Sequence, residues 1–143
     1  LAKELGATHV INSSKENPYE RINQIIKHNG LDVFIDNTGI PSIIEMGYKL
    51  VSENGRIVLV GVPKKGSNIN IYSLPLHFGK TISGSFGGEC NPDKDIPRYL
   101  SLLREGVWSL KGLITAKYEL EDINQAISAM REGKTAGRVM IKL

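Results

Sequence analysis

Two short and nearly continuous apolar runs dominate the first half of the chain. They lie in the stretches 31–39 and 54–63, and the exits of both runs carry a glycine, Gly39 and Gly61. Apolar runs without alternation are typical of strands buried on both faces, as in a parallel sheet covered by helices. Between the runs, residues 41–51 place apolar side chains at helical spacing. The pattern predicts a strand, helix and strand of an α/β sheet, with glycine at both strand exits.

The remaining pattern predicts further helices and strands on both sides of this unit. Proline or aspartate opens the predicted helices and glycine ends them, as is usual at helix termini. Residues 68–72 alternate isoleucine with polar residues, which predicts an edge or interface strand. Helices are predicted at 18–30, 97–106 (with Tyr99, Leu100 and Leu103 facing inward) and 122–133 (with Asp122 as its cap), with 1–5 as the last turns of another, and strands at 8–11, 81–85 and 139–143.

Composition and charge restrict the classes of protein to consider. The chain has 143 residues, the length of one domain, with a formal net charge of +3 and a single cysteine, Cys90. Few aromatic residues and no basic stripe argue against nucleic-acid binding. One cysteine excludes an internal disulfide and is typical of the reducing cytoplasm, and no apolar run approaches the roughly 20 residues needed to cross a bilayer. We therefore expect a cytoplasmic protein with no nucleic-acid or membrane partner.

Several short motifs, taken in their order and spacing, resemble the cofactor-binding half of the zinc-containing alcohol dehydrogenases of the medium-chain dehydrogenase/reductase superfamily. They are Leu-Gly-Ala-Thr at 5–8, Asp-Val-x-x-Asp with its following glycine at 32–39, Gly-Arg-Ile-Val-x-Val-Gly at 55–61, Gly-Ser-Phe-Gly-Gly at 84–88 and Gly-Lys-Thr-Ala-Gly-Arg-Val at 133–139. The segment 91–97 is most similar to the branch that acts on primary, aryl or glutathione-conjugated alcohols. The resemblance extends over the whole chain.

The resemblance implies an α/β fold, a partial Rossmann-type doubly wound parallel sheet whose first two strands precede residue 1. Residues 1–86 would be a partial nicotinamide-dinucleotide-binding domain, and residues 87–143 a C-terminal segment returning toward the catalytic domain. The chain starts within a predicted helix and without methionine, so we expect the C-terminal part of a longer enzyme, inactive by itself. The complete enzyme would pass hydride between a small-molecule alcohol or aldehyde and NAD or NADP. It would be a homo-oligomer, with 68–72 and 81–85 at a subunit interface.

Nine residues are implied as contacts of the cofactor. Thr38 would hydrogen-bond a ribose hydroxyl, the backbone after the second strand would bind the carboxamide, and the guanidinium of Arg138 would match the oxygens of the pyrophosphate. Ordinary strand-to-helix turns and buried strand ends use the same residue types, so both interpretations stay open. The nine are Asn37, Thr38 and Gly39; Val60, Gly61 and Val62; Ser85 and Phe86; and Arg138.

The histidines and the cysteine form no metal motif. His9, His28 and His77 are scattered, without Cys-x-x-Cys or His-x-x-x-His spacing, and are expected to be structural, as is Cys90. The resemblance places the zinc ligands upstream of Leu1. It places there too the Gly-x-Gly-x-x-Gly turn and the acidic residue that distinguishes NAD from NADP. No catalytic or metal-binding residue is therefore predicted in this chain.

Two alternatives stay open at this stage. A zinc-free quinone or enoyl reductase of the same superfamily shares this half of the fold, and zinc ligands upstream would distinguish it. A non-catalytic regulatory domain that binds a nucleotide would instead have a start codon immediately before Leu1.

Overall fold

Three parallel strands organise the segment Ile11–Cys90, one of two compact units into which the chain divides. The computed structural model describes residues 1–27 and 29–143, so the interpretation of His28 lies outside the described residues. The sheet order is β1-β2-β3, and both pairs are parallel. The elements are helix α1 (Pro18–Ile26), strand β1 (Leu31–Asp36), helix α2 (Pro41–Leu50), strand β2 (Val51–Leu59) and strand β3 (Thr81–Gly84), with short 3₁₀ turns at Leu74–Phe78 and Phe86–Glu89.

Helix α2 covers one face of this sheet. Phe34 of β1 and Ile57 of β2 are register partners, and Ile57 is fully buried in a cluster with Tyr48 and Val51. α2 packs closely because Gly47 lies over the ring of Phe34, where an added Cβ would be 2.6 Å from Cγ. Adjacent residues of a strand point to opposite faces, so this contact assigns each side chain of β1 to a face.

The opposite face of β1 corrects the expectation that both faces are buried. Val33 is 39% exposed and Ile35 is 63% exposed. Both alternate with Phe34, which lies under α2, and therefore point away from that helix. An apolar run signals a tendency to be buried, while actual burial depends on which elements pack on the sheet.

The C-terminal end of α2 is closed by a buried cation. The Nζ of Lys80, a residue that is 8% exposed, donates to the carbonyl oxygens of Tyr48 (3.0 Å) and Val51 (2.7 Å). Burial lowers the pKa of the Lys80 ammonium, and the nearby Glu53 carboxylate opposes this shift. The ammonium satisfies carbonyls that the end of a helix leaves without intrahelical donors.

The second compact unit consists of Leu1–Val10 and Asn91–Leu143. Within it, strands β4 and β5 form a parallel pair, and helix α4 follows β4 along the chain. The sequence pattern did not predict β4, whose side chains are mostly exposed and whose apolar signal is weak. The elements are helix α3 (Pro92–Arg104), strand β4 (Ile114–Glu119), helix α4 (Ile123–Arg131) and strand β5 (Arg138–Lys142).

Two predicted strands are wrong. Residues 8–11 form no strand, and no strand of the described residues pairs with them. Residues 68–72 are also not a strand, because two of their backbone groups form hydrogen bonds with side chains of α2 instead of with a neighbouring strand. Glu45 Oε1 accepts from Asn70 N–H (2.8 Å), and the hydroxyl of Tyr48 donates to the carbonyl of Tyr72 (2.7 Å). Alternation indicated a half-buried segment correctly, since Ile69 and Ile71 are half-buried, but burial against a helix gives the same signal.

Helix α3 starts five residues earlier than predicted. Its first residue is Pro92, so Pro97 lies inside the helix. The Asp95 carboxylate accepts from the backbone N–H of Asn91 (2.8 Å) and stabilises the first turn. The predicted inward face is wrong for Tyr99 and Leu100, which are 41% and 46% exposed.

Helix α4 starts where it was predicted, but its N-cap residue does not cap it through its side chain. The Asp122 carboxylate accepts instead from the Gln125 side chain at 3.0 Å.

None of the described helices is long and apolar enough to span a membrane. The predicted domain boundary between residues 86 and 87 stays a prediction, while the compact units divide at 10/11 and 90/91.

Candidate functional site

The exits of β1, β2 and β3 lie at one edge of the sheet, because the three strands are parallel neighbours. Eight of the nine predicted site residues occupy these exits: 37–39 after β1, 60–62 after β2, and 85–86 after β3. In open α/β sheets, ligands bind outside the carboxyl ends of the strands. This carboxyl edge is therefore the candidate site.

A buried carboxylate orders the exit of β1. Asp36, the last residue of the strand, is 1% exposed. Its Oδ1 accepts from the Thr38 hydroxyl (2.6 Å) and the Thr38 N–H (3.0 Å), and its Oδ2 accepts from the Gly39 N–H (2.9 Å). The Thr38 hydroxyl oxygen in turn accepts from the N–H of Ile40 (3.1 Å). This network determines the path of the chain from β1 into α2.

The protonation of Asp36 follows from the same contacts. Burial by itself raises the pKa of the Asp36 carboxyl, but the hydrogen bonds from the Thr38 hydroxyl, Gly39 N–H and Thr38 N–H together outweigh it, so the net pKa is below its usual value. Donors that stabilise the charged form have this effect. Asp36 is therefore an ionised acceptor at neutral pH.

The backbone of Asp36 connects this exit to the next one. Its carbonyl oxygen accepts from the N–H groups of Val60 (2.7 Å) and Gly61 (3.0 Å). Because these two donors are engaged, any ligand contact made by the backbone at 60–62 has to use the carbonyl oxygens or the N–H of Val62. One residue thus positions two of the three exits.

The two glycines of these exits are needed because the backbones lie against each other. Gly39 has a φ of +67°, and a Cβ there would be 2.6 Å from the carbonyl carbon and oxygen of Val62. A Cβ on Gly61 would overlap the backbone nitrogens of Thr38 and Gly39. The structure thus explains Gly39 by the close approach of the neighbouring exit, and its contact with a cofactor stays a prediction.

Apolar side chains stand exposed along the edge. Val60 is 49% exposed, Val62 is 88% exposed and Phe86 is 94% exposed. Ser85, which is half-buried, ties the third exit to the sheet through its N–H, which donates to the carbonyl of Leu59 (2.9 Å). Phe86 has a φ of +42°, an uncommon conformation for a bulky residue. Exposed apolar groups beside ordered backbone polar groups are typical of pockets for organic ligands.

Arg138 lies in the other compact unit, as the first residue of β5. Its backbone N–H donates to the carbonyl of Leu113 (2.8 Å). Gly137 precedes it with a φ of +79°, and a Cβ there would be 2.6 Å from that same carbonyl oxygen. The glycine before Arg138 is thus explained by close packing against the residue that precedes β4.

The residue that sequence reasoning missed is Asp36. It was assigned to the strand, although aspartate two positions before threonine is a known turn signal, since its side chain bonds backbone donors further along. Asp36 follows an apolar run, so it is interpreted as the end of a strand. An acidic residue in that place is more often solvated than buried, and the turn signal is therefore easily overlooked.

The described residues do not fit a zinc site. Among residues 1–27 and 29–143, no group of three or more His, Cys, Asp or Glu side chains could hold a metal ion. His9 contacts the hydroxyl of Thr8 at 3.2 Å. His77 and Cys90 are exposed.

Comparison with known proteins gives consistent results. The family model for zinc-binding dehydrogenases matches residues 1–105. A benzyl alcohol dehydrogenase from Acinetobacter calcoaceticus superposes with a TM-score of 0.83 and 36% identity, over 94% of this chain and 37% of that chain. L-threonine 3-dehydrogenase from Pyrococcus horikoshii is 33% identical in an alignment of 145 positions that covers 100% of this chain and 40% of that protein. A putative alcohol dehydrogenase D from Mycobacterium tuberculosis is 29% identical, over 98% of this chain and 39% of that protein.

These comparisons confirm the predicted resemblance and the α/β fold class with a partial Rossmann-type parallel sheet. The chain spans about two fifths of the length of the curated relatives that it matches.

Proposed function

Because the chain belongs to the zinc-binding dehydrogenase family, we propose that it forms the nicotinamide-binding part of an oxidoreductase that passes hydride between a small-molecule alcohol and NAD or NADP. The observation that carries this proposal is the carboxyl edge, where three parallel strands end in ordered turns flanked by exposed apolar side chains. The alcohol would be oxidised to an aldehyde or ketone, and the nicotinamide ring would accept the hydride.

The residues of the edge orient the ring rather than react. The side chains of Val60 and Val62 would cover one face of the ring and exclude water from it. Carbonyl oxygens at 60–62 would accept from the carboxamide, since two N–H groups there are engaged already. Ser85 and Phe86 would contact the carboxamide from the third exit. Such positioning is the main contribution of a protein to cofactor chemistry.

Arg138 would bind the pyrophosphate. A guanidinium presents a planar fork of donors that matches phosphate oxygens. Lys142 lies at the other end of β5 and pairs with Glu119 at 3.4 Å. Its replacement by alanine also removes a cation from this strand, so it is a matched control for the replacement of Arg138.

The described residues offer no cluster of side chains that could hold zinc. In the full-length enzyme, zinc would be held by ligands in other parts of the protein and would polarise the alcohol as a Lewis acid. We propose further that the protein is cytoplasmic and that it assembles as a homodimer or a homotetramer.

The substrate class is a small alcohol. Two similar proteins are named for benzyl alcohol and for L-threonine, and these two alcohols are the first to test. A zinc-free reductase would instead reduce quinones or enones.

The test uses the full-length protein, with binding of NAD, NADP and nicotinamide mononucleotide measured by calorimetry and oxidation of both alcohols followed by absorbance. Arg138→Ala should weaken dinucleotide binding about 10- to 100-fold, because a charge-assisted hydrogen bond contributes roughly 1.5–3 kcal/mol. Mononucleotide binding, without a pyrophosphate, should change much less, and Lys142→Ala should change neither. Absence of dinucleotide binding by the unmodified protein would refute the proposal. Equal losses for both ligands would show that Arg138 acts through folding.

A further inference from the structure

Two adjacent lysines, Lys64 and Lys65, follow the exit of β2 at the carboxyl edge. The chain runs from Val62, a residue of the proposed ring face, through Pro63 directly into them. An extended chain advances at most about 3.6 Å per residue, so the Cα atoms of Lys64 and Lys65 lie within about 7 Å and about 11 Å of the Cα of Val62. Both lysines are exposed. The space in front of the ring face is therefore within reach of their long side chains.

A closed turn keeps this pair of lysines beside the edge. The N–H of Ser67 donates to the carbonyl oxygen of Lys64 at 3.0 Å, and Gly66, the third residue of the turn, has a φ of +83°. A type II turn requires a positive φ at this position, and Pro63 before the turn has a fixed φ. Within the described part of the chain, neither lysine takes part in an ion pair. The turn thus presents two cations that have no protein counter-ion.

The acidic side chains near the edge do not offset both charges. The stretches 37–40, 60–67 and 85–88, which follow the three strands, contain no charged residue other than the two lysines. The carboxylate of Asp36 is buried and already accepts three hydrogen bonds. Glu89, which directly follows the third stretch, is exposed and carries one negative charge. A surplus of positive charge beside apolar walls raises the local concentration of anionic ligands.

Resting on the proposed function, we infer that Lys64 and Lys65 bind an anionic group of the substrate, so that the preferred alcohols carry a carboxylate or a similar negative charge. Hydride passes directly between the alcohol carbon and the ring, and such reacting atoms lie about 3–3.5 Å apart. The rest of the substrate therefore lies beside the ring, close to the residues that follow Val62. An ammonium on a flexible stem is a compact charge with rotatable donors, which allows it to reach anions on alcohols of different length.

The experiment measures kcat/KM of the full-length protein for pairs of alcohols that differ in charge. One pair is para-hydroxymethylbenzoate and its amide, and the other is γ-hydroxybutyrate and its amide. The unmodified protein should prefer each carboxylate about 3- to 30-fold, the factor that two exposed ion pairs of ordinary strength produce. Lys64→Gln combined with Lys65→Gln should remove most of this preference, and high salt should reduce it because exposed charges are screened. The affinity for NAD should change less than the preference.

The matched control removes two lysines from the opposite edge of the sheet. Lys27 is the C-cap residue of α1, and Lys49 lies in the last turn of α2, so both precede the start of a strand. Both are exposed. Lys27→Gln combined with Lys49→Gln changes the net charge of the protein equally and should leave the preference for the carboxylates intact.

Three results would overturn the inference. The first is the absence of a preference for the carboxylates in the unmodified protein. The second is a preference that survives the replacement of Lys64 and Lys65, or that is lost equally in the control variant. The third is a loss of NAD affinity with an unchanged preference, which would assign the lysines to the phosphates of the cofactor. Failure of the unmodified protein to bind NAD or NADP, or to oxidise any alcohol, would refute the proposed function itself, which is a separate result.

Discussion

Replacement of Gly61 by alanine tests whether close contact of two strand exits holds the candidate site. Gly61 has no need of a left-handed conformation, so only space decides the outcome. An added methyl group would overlap the backbone nitrogens of Thr38 and Gly39 and lie 2.6 Å from the carbonyl carbon of Asn37. All three atoms belong to the backbone, and the two nitrogens donate to the carboxylate of Asp36. The methyl group therefore cannot be accommodated by rotation of a side chain.

The expected magnitude combines two opposing effects. Overpacking costs about 1–3 kcal/mol in the free energy of unfolding. Alanine in place of glycine restricts the unfolded chain, which offsets about 0.4–1 kcal/mol. We expect Gly61→Ala to destabilise the protein by about 1–2 kcal/mol. It should also weaken NAD binding by about tenfold or more, because the two exits move apart and misplace the groups that orient the ring.

The assay is urea unfolding of the full-length protein, together with calorimetric binding of NAD. Gly84→Ala is the matched control, because Gly84 also ends a strand of the same sheet, has no left-handed φ, and has nothing within 4 Å of an added Cβ. Gly84→Ala should be neutral or more stable by up to about 1 kcal/mol. If the free energies of unfolding of the two variants differ by less than about 0.5 kcal/mol, the proposed contact between the exits is refuted.

Three further predictions concern the frame around the site. Gly47→Ala should destabilise the protein by about 1–2 kcal/mol in chemical denaturation, since the clash with Phe34 outweighs a helix-propensity gain of about 1 kcal/mol. A variant more stable than the unmodified protein would show that the ring of Phe34 moves aside at no cost. Lys80→Met should cost about 2 kcal/mol in the same assay, because two carbonyls lose a charged donor, and a change below about 0.5 kcal/mol would argue against this role. The pKa of Asp36 is lowered by folding, so its contribution is complete above its unfolded pKa of about 3.9 and is lost as the pH falls through the folded value. The stability difference between the protein and Asp36→Asn should therefore be constant above about pH 5 and start to shrink below about pH 4. A difference that grows as the pH falls below about 4 would contradict the network.

Most of the fold near the site could be predicted from local pattern. The apolar run at 31–36, the helical spacing of 41–50 and the strand before Gly61 all occur where they were predicted. When one face of a strand or helix is buried, its apolar residues recur with the period of that element. This pattern can be recognised within a single segment, without knowledge of its partners. The resemblance to a known family implied the candidate residues, and the structure puts eight of the nine at three strand exits. Whether they bind a cofactor stays a proposal.

What the pattern missed depends on partners that are distant along the chain. Residues 68–72 alternate like a strand but bond to the side chains of α2 instead, and β4 has few buried side chains although it pairs with β5. A β-strand is defined by its backbone hydrogen bonds to a neighbouring strand, and the periodicity of one segment does not show which segment that neighbour is.

By itself, the sequence determined the family of this protein, the α/β class and the positions of the exits that carry Gly39 and Gly61. The tertiary structure alone decided what those glycines touch, and that a buried aspartate, Asp36, joins two exits through its carboxylate and its carbonyl. The physical reason is that secondary structure follows from the average environment of a residue. The polarity of a site follows from individual hydrogen bonds a few ångströms long, whose donors and acceptors meet only after the chain has folded.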